Sequence, residues 1–175
     1  GVFISILPVA WKTLSDRETE REEQEHFEMW EKFGESIEGR IKEPRLPDSK
    51  NLVTQAKKLF RKKASAIGAL YAFEVQQPAT AQSKLKGLHD HYSSLNADEE
   101  YFKIHSHNEH EAEKLLKKCE DLSPAEQETA LNACTSMSKA LRKALDGMYP
   151  VSPNRSVGES SVRQMSKNLK LYSPL

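Results

Sequence analysis

Residues 62–92 read KKASAIGALYAFEVQQPATAQSKLKGLHDHY, and the fold class turns on this stretch. Small and straight-chain residues dominate it, and it shows no polar–apolar alternation, so a helix is expected rather than a strand. Phe60, Ile67, Leu70 and Tyr71 fall on one helical stripe, which Glu74 continues at +3 and +4. A carboxylate on such a stripe is removed from water, which is costly unless a metal or a cation accompanies it. The spacing predicts a helix over about 50–76, interrupted by Pro78 and continuing to about Tyr92.

The same grammar extends outward. Ser15 with Glu18 forms a capping-box pattern and Gly39 a stop, framing a helix at about 16–38. Pro44, Pro47 and Asp48 mark a loop over 40–49. Asn96 with Glu99 opens a helix running from 97 to about 119. Ser123, Pro124 and Glu126 supply an N-cap, an N1 proline and an N3 glutamate for a last helix ending near Gly147. The apolar opening GVFISILPVAW lacks a basic leader and contains Pro8, so it reads as the end of a helix or a strand-like lead-in, not a signal peptide. No internal repeat is visible. The expectation is an all-α bundle over 1–150, with a Ser/Pro-containing basic tail at 151–175.

The chain has 175 residues, 30% of them charged, with 26 basic and 26 acidic side chains. With no net charge there is no global field for nucleic acid or membrane, and no apolar run approaches a membrane span. The balance hides a split, because residues 151–175 carry a net +3 and residues 1–150 therefore −3. Cys119 and Cys134 are too few for a disulfide framework, so a reducing, cytoplasmic setting is expected.

Bundles build polar sites from inward side chains of facing helices. On the 16–38 helix, Trp30, Phe33 and Ile37 define the buried stripe, His26 lies four before Trp30, and Glu22 four before His26. On the 97–119 helix the stripe is Tyr101, Ile104, Ala112, Leu115, Leu116 and Cys119, with His105 and Glu109 on it at i and i+4. His107 and His110 point to the other side. Glu22, His26, Glu74, His105 and Glu109 therefore form a candidate ligand set, and mixed imidazole and carboxylate donors suit iron or manganese. Plainer readings stand beside this one. Glu22 fits a solvated acidic face, Glu74 an ion pair with Lys84 or an arginine, and residues 105–110 a solvated histidine cluster. His89 and His91 read as surface residues. No phosphate loop, nucleophile elbow or CxxC zinc spacing is present in the sequence.

Four segments carry a family resemblance. HFEMWEKF (26–33), GALYAFEVQQPATAQSKLKGL (68–88), YFKIHSHNE (101–109) and ALRKALDGMY (140–149) resemble, in order, elements of the heme-oxygenase-like di-iron oxidase superfamily. The nearest branch resembles the chlamydial protein associating with death domains. Pyrroloquinoline-quinone synthase C and thiaminase II are similar more distantly. The resemblance implies a seven-helix, N-terminally shortened bundle holding two metal ions, usually iron. His26, Glu74 and His105 match its ligands, and Glu109 stands where it has Asp. Thr19 and Ala112 stand where it has Glu and a final His; Glu22 or Glu18 and, after a register shift, His110 are candidate replacements. The branch makes p-aminobenzoate for folate by consuming its own side chains, which assigns Lys84 and Tyr101 to the chemistry. The implied partners are O2 and a small-molecule substrate or the chain itself, and a homodimer is compatible. Two other readings are a non-catalytic bundle binding a protein through a partial site, and a thiaminase-like hydrolase using Cys119.

Overall fold

The structure, a computed structural model, describes residues 2–107 and 110–148. Among these residues eight α-helices occur and no strand: α1 (Leu7–Thr13), α2 (Arg17–Ser36), α3 (Pro47–Leu59), α4 (Lys63–Glu74), α5 (Gln77–His91), α6 (Glu100–His105), α7 (His110–Glu120) and α8 (Pro124–Met148). Short 3-10 turns lie at Ile4–Ile6 and Ser93–Leu95. The all-α expectation holds. The tail at 151–175 lies outside the described residues.

Helix α4 is the hub and packs against α1, α7 and α8. It is apolar around most of its circumference, and Ala66, Ile67, Ala69, Leu70 and Ala72 are all fully buried. Its small residues let α8 approach closely. A Cβ on Gly68 would lie 1.8 Å from the Ala130 carbonyl oxygen, so only glycine permits this crossing. On α8 the buried residues Ala130, Ala133, Cys134 and Met137 complete the contact side. Helix α3 covers another part of α8, α2 lies on α1 and α6, and α5 lies on α6. A smaller apolar cluster joins Ala81, Tyr101 and Phe102 to Trp30 and Phe33.

Several boundaries differ from expectation. The opening segment is an integral helix, with Leu7, Ala10 and Trp11 in the core. Asp16, not Ser15, caps α2 by accepting a bond from Thr19 N at 3.2 Å. Ser15 instead takes a left-handed φ of 58° in the sharp turn from α1. At the other end Glu38 takes the left-handed position one residue before the expected glycine, and Gly39 N donates to the Gly34 carbonyl at 2.7 Å. Ile37, placed on the buried stripe by its spacing, is 36% exposed in that terminus.

The 50–76 helix is two helices, α3 and α4. Ser65 Oγ donates to the carbonyls of Leu59 and Lys62 and so satisfies groups freed by the break. The 97–119 helix is likewise divided into α6 and α7, and on α6 the buried face is Tyr101, Phe102 and His105, which leaves Ile104 38% exposed. The last helix begins as its signature predicts: Ser123 N and Oγ both donate to Glu126 Oε2, at 3.0 and 2.6 Å.

Candidate metal centre

Helices α2, α4, α6 and α7 each direct acids or imidazoles inward. On α2 the inward residues are Thr19, Glu23 and His26, spaced four and three apart, with exposures of 0%, 2% and 8%. The last turn of α4 contributes Glu74, α6 contributes Tyr101 and His105, and the first turn of α7 contributes Glu111. Three carboxylates that are each at most 5% exposed thus belong to one polar cluster, since Glu74 feels the charges of both Glu23 and Glu111.

The two imidazoles meet. The rings of His26 and His105 lie edge to face with centroids 4.4 Å apart. Tyr101 stacks on His105 at 4.1 Å and meets Trp30 at 5.0 Å, so apolar walls fix both rings. His105 Nδ1 donates to the Tyr101 carbonyl at 2.7 Å. A carbonyl can only accept, so the hydrogen sits on Nδ1 and Nε2 keeps its lone pair. On the other ring, His26 Nδ1 lies 3.8 Å from Glu23 Oε1, within ion-pair range but beyond hydrogen-bond reach, and is buried without a hydrogen-bond partner among the described residues. Glu74 Oε1 and Glu22 Oε2 share that condition.

The electrostatics follow from crowding acids in a dry interior. Burial raises Glu74 well above the usual carboxylate range, and Glu23 and Glu111 push it further. Burial also raises Glu23, with His26 pulling the other way and Glu111 and Glu22 adding to the rise. For His26, burial disfavours the cation, but Glu23, Glu111 and Glu22 outweigh it and its pKa is raised. His105 is brought down to about 4 by burial, and His26 adds to the fall against the Tyr101 carbonyl. Burial raises the Tyr101 phenol, which accepts a bond from Gln77 Nε2 at 3.2 Å.

Unpaired buried oxygens and a buried imidazole nitrogen are costly groups in a folded core. Carboxylate and imidazole donors are also what a hard or borderline divalent cation takes. The chemistry of these buried carboxylates and imidazoles therefore fits a metal ion, although the ligand atoms of His26, Glu74, His105 and Glu23 do not form a group of three within 4.8 Å of one another. Among the described residues, the group of three such donors whose ligand atoms do lie within 4.8 Å of one another is Glu22, His110 and Glu111.

Of the residues named from sequence, His26 and His105 meet here, and Glu74 is buried within the fields of Glu23 and Glu111. Glu22, which also fitted a solvated acidic face, is half-buried, with one oxygen fully shielded. Glu109 lies outside the described residues. Tyr101 lines the cluster. Lys84 is exposed on α5, so it does not neutralise Glu74. His89, His91 and His107 are exposed, and His89 pairs with Glu99 at 2.8 Å. Thr19 is buried and accepts a bond from Lys114 Nζ at 2.7 Å. Cys119 is fully buried, and burial pushes its thiol up to about 11, which opposes a thiolate nucleophile.

Glu23 and Glu111 were not singled out from sequence. The signal was there. Thr19, Glu23, His26, Trp30 and Phe33 continue one stripe, and Glu111 lies four before buried Leu115. Each acid stood next to a more conspicuous neighbour, Glu22 or His110.

No family profile and no solved structure matches the chain. Among curated proteins it is similar to a 4-aminobenzoate synthase of Nitrosomonas europaea, 30% identical over 158 residues, 83% of this chain. The chain spans 63% of that relative's length. No helix among the described residues is long and apolar enough to cross a membrane.

Proposed function

We propose that the chain is a metal-dependent oxidase of the heme-oxygenase-like kind and takes part in forming 4-aminobenzoate, acting on a small molecule or on its own side chains. The carrying observation is the burial of Glu23, His26, Glu74 and His105 on three helices, with the two imidazole rings in contact and with His26 Nδ1 and Glu74 Oε1 lacking a hydrogen-bond partner among the described residues. The similarity to a 4-aminobenzoate synthase supports the product class.

Iron is the proposed ion, with manganese as the alternative, and two ions are proposed for the full centre. When bound, such an ion supplies redox equivalents for O2 chemistry. The chain's own residues do the remaining work. Glu74 and Glu23 offset the positive charge, and His105 presents Nε2 because the Tyr101 carbonyl holds its other nitrogen. Trp30, Phe33 and Phe102 exclude water from one side. Tyr101 stays a neutral phenol against His105 and is the side chain nearest to hand for oxidation or substrate orientation. Lys84, exposed on α5, is the proposed amine of a self-consuming reaction only if that face meets a substrate or a second copy.

The test is direct. The full chain, loaded anaerobically with Fe2+ and exposed to O2 and a reductant, is expected to release 4-aminobenzoate detectable by mass spectrometry. Glu74→Gln is expected to abolish release. Equal iron content and equal product in both proteins would remove the proposed centre. Iron binding without product would favour a binding role for the bundle.

A further inference from the structure

We infer that the outward stripe of α3 is a docking surface for the acidic stripe of α2 on a second copy of this chain. Residues 50–63 carry Lys50, Lys57, Lys58, Arg61, Lys62 and Lys63 and no acid. Residues 24–38 carry Glu25, Glu28, Glu31, Glu35 and Glu38 against Lys32. All of these residues are exposed. Helical spacing gathers each set into a line. Lys50, Lys57 and Lys58 share the side of α3 opposite buried Leu52, Val53 and Ala56, and Arg61 continues it past the helix end. Glu28, Glu31, Glu35 and Glu38 recur at three- and four-residue spacing opposite buried Thr19, Glu23 and His26. At 1.5 Å per residue each stripe is about 15–17 Å long, so the two match.

Neither stripe is neutralised within the chain. Among the described residues, none of Glu28, Glu31, Glu35, Glu38, Lys50, Lys57, Lys58 and Arg61 takes part in an ion pair. Helix α2 packs on α1 and α6, whereas α3 packs on α8 and α4. The acids are also set against their own helix. No base lies in the last turn of α2, and Glu35 and Glu38 stand at the negative end of its dipole, where cations are favoured. Bases brought from outside relieve that repulsion. Glu31, Glu35 and Glu38 line an open cleft with Gly34 and Gly39, whose missing side chains leave room for a lysine or arginine to enter.

Apolar residues set the register. Ile37, 36% exposed, lies at the end of the acidic stripe, and Leu46, 42% exposed, opens the basic one. Ile37 against Leu46 of the second copy runs the two helices antiparallel and brings Glu28 to the Lys57–Arg61 end. Apolar contact beside charged contact is ordinary interface composition. Because the stripes lie on helices packed to different neighbours, the contact is head to tail, and it propagates. It does not depend on the metal centre.

The test is sedimentation velocity of the full chain over a concentration series. Mean mass is expected to rise past a dimer at about 0.01 M salt and to fall to the monomer at about 1 M, where the screening length drops from about 30 to about 3 Å. The double reversals Lys57→Glu/Lys58→Glu and Glu31→Lys/Glu35→Lys should each weaken self-association at least ~100-fold, since like charges then face each other. Mixed together, the two variants should associate again. Reversal of two exposed lysines off the stripes, Lys12→Glu/Lys117→Glu, makes the same change in net charge and should leave association as in the wild type. A mixture that stays monomeric, an off-stripe variant that is monomeric too, or a dimer indifferent to both reversals would overturn the pairing. So would a wild type that is monomeric at every salt concentration; heparin retained by that monomer and lost in Lys57→Glu/Lys58→Glu would give the basic stripe to a polyanion instead.

Discussion

Replacing Glu74 by glutamine is expected to stabilise the metal-free protein and to destabilise the metal-loaded protein relative to wild type. Glu74 is 5% exposed, its Oε1 has no partner among the described residues, and it faces Glu23 and Glu111. An unsatisfied buried polar group costs about 1–3 kcal/mol, more when charged. Glutamine keeps the shape, cannot ionise, and brings two N–H donors towards neighbouring carboxylates. A gain of about 1–3 kcal/mol, at about 2–4 °C per kcal/mol for a domain of this size, raises the apo melting temperature by several degrees. The gain depends on pH. Glu74's folded pKa is raised above 4.5, so its contribution is full below pH 4.5 and is lost as pH rises through the folded value. Glutamine suffers no such loss, and the difference widens towards alkaline pH. Saturating divalent metal reverses the order, since a ligand at 100 times Kd adds about 2.7 kcal/mol to the form that binds it. Thermal melts of both proteins, with chelator and with excess Mn2+ at several pH values, measure every term. A glutamine variant that melts lower than wild type in chelator at pH 8, and gains as much from metal, would refute the reasoning.

Two other predictions concern the frame. Gly68→Ala is expected to destabilise the fold by about 1–3 kcal/mol or more, because its Cβ meets the backbone oxygen of Ala130 at 1.8 Å and α8 must move; urea melts would show this, and an unchanged midpoint would contradict the crossing. The His105 imidazole is expected to titrate near pH 4 in the metal-free protein, since burial opposes its cation. Its depressed folded pKa means that the unfolded chain binds the extra proton between about 4 and 6.5, so this residue adds stability as pH rises through that window. Imidazole carbon shifts by NMR would report it, and a midpoint above 6.5 would contradict the packing.

Local chemistry was legible along the chain. The Ser123–Glu126 capping box, the buried stripe through Ile67, Leu70 and Tyr71, and the inward placement of His26, Glu74 and His105 all follow from spacings of three and four residues. Those interactions lie within about one helical turn, so composition and period suffice to find them. The breaks at 60–62 and after His105 were not legible, because nothing local forbids a helix there. The packing of Phe60, and the choice of α6 face that leaves Ile104 outward, are settled by neighbouring helices.

What the amino-acid order determined by itself was the helical class, the ends of α2, α5 and α8 to within a residue or two, and which stripes carry acids and imidazoles. What only the tertiary structure decided was which acid of each adjacent pair enters the cluster: Glu23 beside Glu22, and Glu111 beside His110. Neighbouring residues on a helix differ by 100° of rotation, and the packing of α2 on α1 and α6 and of α7 on α4 selects between them. Glu74 on α4 is buried within the fields of both. Burial of several acids together is a property of that three-helix junction, and no one-dimensional spacing contains it.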